Sequence, residues 1–247
     1  MTYCVGMLLD EGLVFMSDTR TNAGLDDIAT AKKMTVWSKP GERVITLLTA
    51  GNLATTQAVV SLLDERTKVP AERKPSILEA PTMFQVARII GDTLGEVVRA
   101  QGEASAGAQS EVDPRFNATL IVGGQIAGVG PRLFLVYPEG NFIEATPDTP
   151  YFQIGETKYG RPILVRVYNR AMSFEDAVKL LLVSFDSTIK ANLSVGLPLD
   201  LHAYQRDSLE VGSQLRVEPD DAYYQHISSG WGEALRAAFD SLPDFKF

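Results

Sequence analysis

The chain has 247 residues, of which 45% are hydrophobic and 22% charged, and its formal net charge at pH 7 is −8. This composition supports a full hydrophobic core and argues against an intrinsically disordered chain. The acidic balance provides no overall basic field for phosphate backbones, so we expect no nucleic-acid partner.

Cysteine content and the length of apolar runs bear on the compartment. The single cysteine, Cys4, cannot form an internal disulfide. Apolar runs such as residues 180–183 are far shorter than the roughly 20 residues that a transmembrane helix needs. The first residues lack the basic and apolar stretches of a secretory signal. We therefore expect a cytoplasmic protein with no membrane partner.

Strand-forming residues dominate the first fifty positions, and four strands are predicted before any helix. An N-terminal hairpin is expected because the turn residues of 10–12 (DEG) separate two apolar runs. Residues 19–31 are polar and glycine-containing. The four predicted strands cover residues 2–9, 13–16, 32–38 and 43–50.

Two helices are predicted next. The first shows helical spacing of apolar residues over 52–66, and the second begins at Thr82, with Gln85 at the capping-box position. Residues 67–80 contain two prolines and many charges and are predicted as an exposed loop. The stretch 101–115 is poor in apolar residues and is predicted as a mobile surface loop or a partner contact.

The second half of the chain repeats the order of strands followed by helices. A helix is predicted from Ser173, with Asp176 three positions later, and a terminal helix over 230–242. The predicted strands cover residues 116–124, 132–138, 142–145, 151–155, 199–205 and 212–217.

This order of elements differs from regular βαβ alternation and favours antiparallel sheets with helices on their outer faces. We find no internal repeat and no linker in the sequence. The expected fold class is α+β, as a single domain over residues 1–247 with a four-layer αββα arrangement in which a sheet-on-sheet core lies between two helical layers.

Thr2 follows the initiator methionine, which is readily trimmed before a residue of this size. Its Oγ would then be a nucleophile with the terminal amine of the same residue as its base, a pairing that needs no histidine. The reference pKa of such an amine, about 7.7–8.0, lies close to neutrality. Only two histidines are present, His202 and His226, and both are expected to be packing or surface residues.

Two charged residues at neighbouring strand ends support a catalytic role for Thr2. Asp18 ends the second strand of the hairpin, and Lys33 begins the third predicted strand. If the hairpin brings them to the first residue, Lys33 would favour a developing alkoxide and Asp18 would orient the lysine. The alternative is an ordinary surface ion pair at a sheet edge.

The N-terminal run TYCVGMLLDEGLVFMSDTRTN, with KK at the next strand and TAG before a helix, resembles the proteasome β-type subunit family. The resemblance is clearest over residues 2–66 and 151–205, and the Met-Thr start and the segment SFDSTIKANLSVGLPLDL are most similar to the bacterial Anbu branch. The resemblance implies the N-terminal-nucleophile hydrolase fold. The resemblance also implies active-site roles for Thr2, for Asp18 in its D-x-R motif, for Lys33, and for Gly51 as the oxyanion donor.

The resemblance further implies an aspartate and a serine that hydrogen-bond around the threonine amine. The best matches are Asp186 and Ser194, although their spacing is several residues longer than the D-x-x-S of the family. The family serine in the G-S-G turn is replaced, because this sequence reads Gly155-Glu156-Thr157. Either Glu156 faces away, or Thr157 substitutes, or the site is tuned to a different substrate.

The leading hypothesis is a threonine-type endopeptidase that cleaves peptide bonds inside a homo-oligomer, for which the resemblance implies a ring, stacked rings or an open lock-washer. The alternatives are an N-terminal-nucleophile amidase or acyltransferase acting on a small amide, and a ring-forming scaffold with a decayed site. No phosphate-binding motif or metal-ligand spacing occurs in the sequence, and no cofactor is expected.

Overall fold

Two five-stranded antiparallel sheets form the centre of the computed structural model, which describes residues 2–22, 28–68, 75–106 and 114–247. The strands of the first sheet are β1 Tyr3–Leu8, β2 Gly12–Asp18, β10 Tyr151–Gly155, β11 Leu199–Gln205 and β12 Ser213–Val217. Those of the second sheet are β5 Met34–Lys39, β6 Arg43–Gly51, β7 Ala118–Ile126, β8 Arg132–Val136 and β9 Phe142–Glu144. The first sheet has the strand order β10-β1-β2-β11-β12, and the second has the order β5-β6-β7-β8-β9.

The inner faces of the two sheets pack on each other. Cys4 and Phe15 of the first sheet belong to the same buried cluster as Leu48 and Ile121 of the second sheet. The outer face of the first sheet packs against the helices α3 Arg161–Val167, α4 Phe174–Ala191 and α5 Ala222–Asp240. The outer face of the second sheet packs against the helices α1 Leu53–Lys68 and α2 Met83–Ala106.

The resulting order of layers is helices, sheet, sheet, helices. The predicted α+β fold class with a four-layer αββα sandwich is therefore confirmed. This order of layers also explains why β1 and β2 are buried along their whole length. Alternate side chains of each strand point to opposite faces, and both faces are covered. The prediction of a single domain over residues 1–247 stays a prediction.

Helix starts follow the local sequence signals. The side chain of Ser173 accepts a hydrogen bond from the N–H of Asp176, as expected for the residue before α4. The side chain of Thr82 likewise accepts a hydrogen bond from the N–H of Gln85 in front of α2. Helix α5 begins at Ala222, eight residues before the predicted start at position 230, because Asp221 caps the N–H of Tyr224.

Several segments differ from the sequence-based expectation. The polar stretch 19–31 contains a small hairpin of β3 Arg20–Asn22 and β4 Ile28–Thr30. Residues 101–106 of the predicted loop continue α2, whereas its residues 107–113 lie outside the described part of the chain.

Two further differences concern buried apolar contacts. Ile77 and Ala80, in the segment predicted as an exposed loop, are buried against α2, and residues 69–74 of that loop are not described. The short helix α3 was not predicted, because one buried leucine, Leu164, leaves little periodic signal.

In the described ranges, no helix combines the length and the apolarity required to traverse a bilayer.

Candidate active site

Asp18 lies at the end of β2, directly beside the N-terminal strand. Its Oδ1 accepts hydrogen bonds from the backbone N–H of Tyr3 at 2.9 Å and from Nζ of Lys33 at 2.8 Å. The side chain is completely buried, and burial raises the pKa of this carboxyl group. Lys33 and the N–H groups of Tyr3 and Gly196 oppose this increase. The carboxylate is therefore bound to the residue that follows Thr2.

Lys33 is held from three directions. Its Nζ donates to Asp18 and to the backbone carbonyl of Arg20 at 2.6 Å, and its own carbonyl accepts from the N–H of Thr49 at 2.9 Å. The side chain is 6% exposed. The predicted approach of Asp18 and Lys33 is present, and the alternative of an exposed surface pair is wrong.

Thr2 directly precedes β1, so continued strand alternation would put its side chain on the same face as that of Cys4. Cys4 contacts the carbonyl of Thr49 at 3.7 Å across the gap between the sheets. Thr2 is 8% exposed, and Met1 lies outside the described residues.

The backbone of Thr2 is fixed by the turn that follows β10. The N–H of Glu156 donates to the carbonyl oxygen of Thr2 at 2.6 Å. Gly155 has a φ of +81°, and a Cβ at this position would overlap that same carbonyl oxygen. A side chain is thus excluded at Gly155 both by backbone conformation and by the approach of Thr2.

The side chain of Glu156 reaches toward the end of α4. Its Oε2 accepts from Nδ2 of Asn192 at 3.1 Å, and its Oε1 accepts from the N–H of Lys158 at 3.2 Å. The side-chain oxygen Oδ1 of Asn192 in turn accepts from the backbone N–H of Ser194 at 2.9 Å. A chain of hydrogen bonds through Asn192 and Glu156 thus links the backbone of Ser194 to that of Thr2.

Gly51 lies exposed at the end of β6, two residues after Thr49. Its φ is +118°, and a Cβ would overlap the carbonyl oxygen of Asn117. The strand end can therefore take this conformation only with glycine. The predicted strand-to-helix position of Gly51 is present, since α1 begins at Leu53.

Asp186 has a different setting from the one that the resemblance implies. Its carboxylate accepts from the hydroxyl of Tyr224 at 3.3 Å and pairs with Lys190 at 3.0 Å. Burial raises the pKa of Tyr224, and Asp186 adds to this effect. Because these partners belong to α4 and α5, the structure places Asp186 in helix packing and does not bring it to Thr2.

Sequence reasoning missed Asn192, which binds Glu156 close to Thr2. The available signal was its position directly after α4. Of the two histidines, His202 is completely buried, with Nδ1 2.9 Å from Oγ1 of Thr46. His226 is exposed.

The sheet sandwich, with an N-terminal strand that carries Thr2 beside a buried lysine–aspartate pair, defines the class of proteasome-like N-terminal-nucleophile folds. Comparison with protein families matches residues 96–196 to the proteasome subunit family. Comparison with curated protein sequences found no match.

Solved structures of Anbu proteins are similar over the whole chain. Anbu (ancestral beta-subunit) from Yersinia bercovieri is 46% identical, with a TM-score of 0.91 over 100% of both chains. Anbu from Hyphomicrobium sp. strain MC1 is 50% identical, with a TM-score of 0.89 over 100% of both chains. A helical assembly of the Anbu complex from Pseudomonas aeruginosa is 46% identical, with a TM-score of 0.91 over 99% of this chain and 98% of that chain. This chain belongs to the proteasome family, in its Anbu branch.

Proposed function

We propose that this protein is a threonine-type peptidase whose nucleophile is Thr2 after removal of Met1. The observation that carries the proposal is the buried pair of Lys33 and Asp18, which share one hydrogen-bond network with the N–H of Tyr3. Burying two charges is costly in free energy, and a hydrophobic pair would stabilise the fold at least as well. A positive charge held beside the first strand is useful where an alkoxide develops.

The first chemical step forms an acyl-enzyme. Oγ of Thr2 attacks the carbonyl carbon of the scissile amide, and the hydroxyl proton passes to the Thr2 amine. The carbonyl oxygen becomes an oxyanion, for which the N–H of Gly51 is the proposed donor. Collapse of the intermediate breaks the C–N bond, and the leaving amine takes the proton from the Thr2 ammonium.

The second step releases the acyl group. Water attacks the ester on Oγ of Thr2 and gives its proton to the same amine, which returns it to Oγ as the ester bond breaks. Lys33 stabilises the developing alkoxide in both steps, and Asp18 fixes the orientation of Lys33. Glu156 and Asn192 hold the turn that binds the Thr2 carbonyl.

A terminal nucleophile of this kind has to be kept away from other proteins of the cell, and we propose that the chain works in a homo-oligomer that surrounds its sites. The helical assembly of the Anbu complex from Pseudomonas aeruginosa supports this proposal.

We also propose a cytoplasmic location, because a lone and buried cysteine, Cys4, suits a reducing compartment.

The test is the intact mass of the purified protein before and after incubation with an epoxyketone or a β-lactone, with Thr2→Ala as the control. The expected result is a mass without methionine and one adduct that maps to Thr2. Peptides and small amides then separate a peptidase from an amidase. Retained Met1 without an adduct would contradict the mechanism and favour the scaffold.

A further inference from the structure

A cavity of about 460 Å³ lies between the two sheets at one side of the sandwich. β5 and β12 are the outermost strands of their sheets on this side, and both contribute to the cavity. Its lining includes Lys32, Met34 and Val36 from β5 and the segment before it, and Asp200 and Arg216 from the first sheet. The volume falls within the range of roughly 300–1,000 Å³ that is typical of small-molecule sites. We name this feature the β5–β12 cavity.

The register of the first sheet places Asp200 and Arg216 on the inner face. Cys4 is opposite Ser17, Ser17 is opposite Asp200, and Asp200 is opposite Arg216. Directly opposed residues of neighbouring strands point to the same face of a sheet. Cys4 belongs to the buried cluster between the sheets. The side chains of Asp200 and Arg216 are therefore on the face that is turned toward the second sheet.

Only one oxygen of the Asp200 carboxylate has a partner in the described part of the chain. Oδ1 accepts from Nε of Arg216 at 3.0 Å, whereas Oδ2 is buried and unpartnered. Oγ of Ser17, on the neighbouring strand, is also buried without a partner among the described residues. A buried polar atom without a hydrogen bond costs free energy. Oδ2 therefore needs a donor that these residues do not supply.

The other residues of the β5–β12 cavity define what else such a donor should carry. Lys32 is exposed and adds a positive charge, and Arg216 has two terminal guanidinium nitrogens besides the Nε that binds Asp200. Met34 and Val36 provide an apolar wall, since both pack in the cluster between the sheets. The cavity thus combines a free acceptor, donors for an anion and an apolar surface.

We propose that the β5–β12 cavity binds a small apolar compound with a free α-ammonium group and a free carboxylate, the chemistry shared by apolar amino acids and short peptides. The ammonium group donates to Oδ2 of Asp200. The carboxylate accepts from Lys32 and from the terminal nitrogens of Arg216, and the apolar side chain packs on Met34 and Val36. Charge-assisted hydrogen bonds of this kind are about twice as strong as neutral ones.

This site is distinct from the one around Thr2, which is not among the residues that line the cavity. The inference therefore does not rest on the proposed peptidase chemistry. Binding is best measured with the Thr2→Ala protein, because this variant lacks the proposed nucleophile and should not cleave a peptide during the titration.

Three compounds test the two charged ends separately by isothermal titration calorimetry. Leucyl-leucine has both ends, N-acetyl-leucyl-leucine lacks the ammonium group, and leucyl-leucinamide lacks the carboxylate. We expect leucyl-leucine to bind and each blocked compound to bind roughly tenfold or more weakly, because each loses one charge-assisted contact. Leucine itself distinguishes the two sources: binding as tight as that of leucyl-leucine assigns the cavity to free amino acids, and weaker binding assigns it to peptides.

Two variants identify which residue binds which end. Lys32→Gln should weaken leucyl-leucine roughly tenfold but leave leucyl-leucinamide unchanged, since that compound has no carboxylate to lose. Asp200→Asn should weaken leucyl-leucine similarly but leave N-acetyl-leucyl-leucine unchanged. The charge-matched controls are Lys39→Gln and Asp64→Asn, which alter exposed ion pairs outside the cavity and should bind as the parent protein does. Circular dichroism and thermal unfolding establish that each variant is folded.

Leucyl-leucine that does not bind, or that binds no more tightly than the two blocked compounds, would overturn the proposal and leave a buried water as the partner of Oδ2 of Asp200. Unchanged binding in both Lys32→Gln and Asp200→Asn would also overturn it, because the peptide would then occupy another site. Lys32 is exposed, so Lys32→Gln gives a result even if Asp200→Asn fails to fold. Adduct formation at Thr2 of the wild type is a separate measurement, and its failure would contradict only the peptidase chemistry.

Discussion

Nζ of Lys33 lies 2.8 Å from Oδ1 of Asp18, and the two side chains are 6% and 0% exposed. The same oxygen accepts the N–H of Tyr3. This single carboxylate therefore joins the N-terminal strand, the end of β2 and the segment before β5. The contact connects the stability of the fold to the geometry around Thr2.

The first prediction concerns the loss of the buried cation. Lys33→Met should reduce the free energy of unfolding by about 3–5 kcal/mol, because it leaves the Asp18 carboxylate buried without a counter-charge. Adding Asp18→Asn should restore part of this loss, since the asparagine oxygen can still accept from Tyr3. Urea unfolding of the three proteins provides the measurement.

The matched control is Lys179→Met, which removes an exposed pair with Asp176. Pairs of this kind contribute about 1 kcal/mol or less. If Lys33→Met were no more destabilising than Lys179→Met, the buried pair would have no special role in the fold. A trap reaction at Thr2 that continued unchanged in Lys33→Met would contradict the proposed role in catalysis.

Glu156 provides a second prediction, because it brings a negative charge to the turn that binds Thr2. A nearby carboxylate favours the protonated form of the terminal amine, which cannot act as a base. Glu156→Gln should therefore move the pH midpoint of the trap reaction downward by about 0.5–1 pH unit. Measured rates between pH 5 and pH 9 should reveal the shift.

Glu175→Gln, at an exposed position in the first turn of α4, is the charge-matched control and should not move the midpoint. Asn192→Ala should leave the charge in place but release the Glu156 side chain. It should therefore slow the trap reaction more than it moves the midpoint. Equal midpoints in wild type and Glu156→Gln would show that the carboxylate does not act on the amine.

The sequence predicted most of the sandwich because its strands and long helices have strong local signals. Tyr3–Leu8 and Gly12–Asp18 are apolar runs around a turn, and Phe174–Ala191 has a cap and a periodic face. The hairpin of Arg20–Asn22 and Ile28–Thr30 was missed because polar strands that lie outside the two main sheets lack the alternation of a half-buried strand.

The candidate site was likewise predicted only in part. Asp18 and Lys33 lie near strand ends, so strand prediction and the family resemblance were sufficient to place them together. These two sources could not show that Asn192 contacts Glu156, or that Asp186 contacts Tyr224 of α5. Which side of α4 faces α5, and which residue after α4 reaches Glu156, depend on long-range packing that no local pattern contains.

Gly155 provides a third prediction about the position of Thr2. Gly155→Ala should be destabilising for two reasons, its φ of +81° and the overlap of a Cβ with the Thr2 carbonyl oxygen. Gly41→Ala is the control, because its φ is +74° but nothing lies within 4 Å of a Cβ. The control should lose about 1–2 kcal/mol from backbone conformation alone.

The difference between the two variants measures the contact with Thr2. We expect Gly155→Ala to lose more stability than Gly41→Ala and to slow the trap reaction at least tenfold, because Thr2 must shift. Chemical denaturation and adduct kinetics test the two parts. A Gly155→Ala protein that matched Gly41→Ala in both would mean that the strand end adjusts without moving the nucleophile.

The last prediction concerns acid stability and rests on His202. This side chain is buried between the sheets, stacked on Phe15 and hydrogen-bonded to Thr46, and its Nε2 has no partner among the described residues. Burial lowers its pKa from 6.5 to about 4. Between these two values the unfolded chain binds a proton that the folded chain does not, so stability falls as the pH decreases from about 6.5 to about 4.

The full effect of such a shift is on the order of 3 kcal/mol. His202→Gln has no proton to take up, so its free energy of unfolding should depend less on pH in this window, although it should be lower than that of wild type at pH 8 because packing is lost. His226→Gln, at an exposed position, should follow the wild-type curve. Urea unfolding at pH 4.5, 5.5, 6.5 and 8 measures the three slopes. Parallel curves for wild type and His202→Gln would assign the acid sensitivity to other groups, whereas a flatter His202→Gln curve would identify the buried imidazole as the group responsible for it.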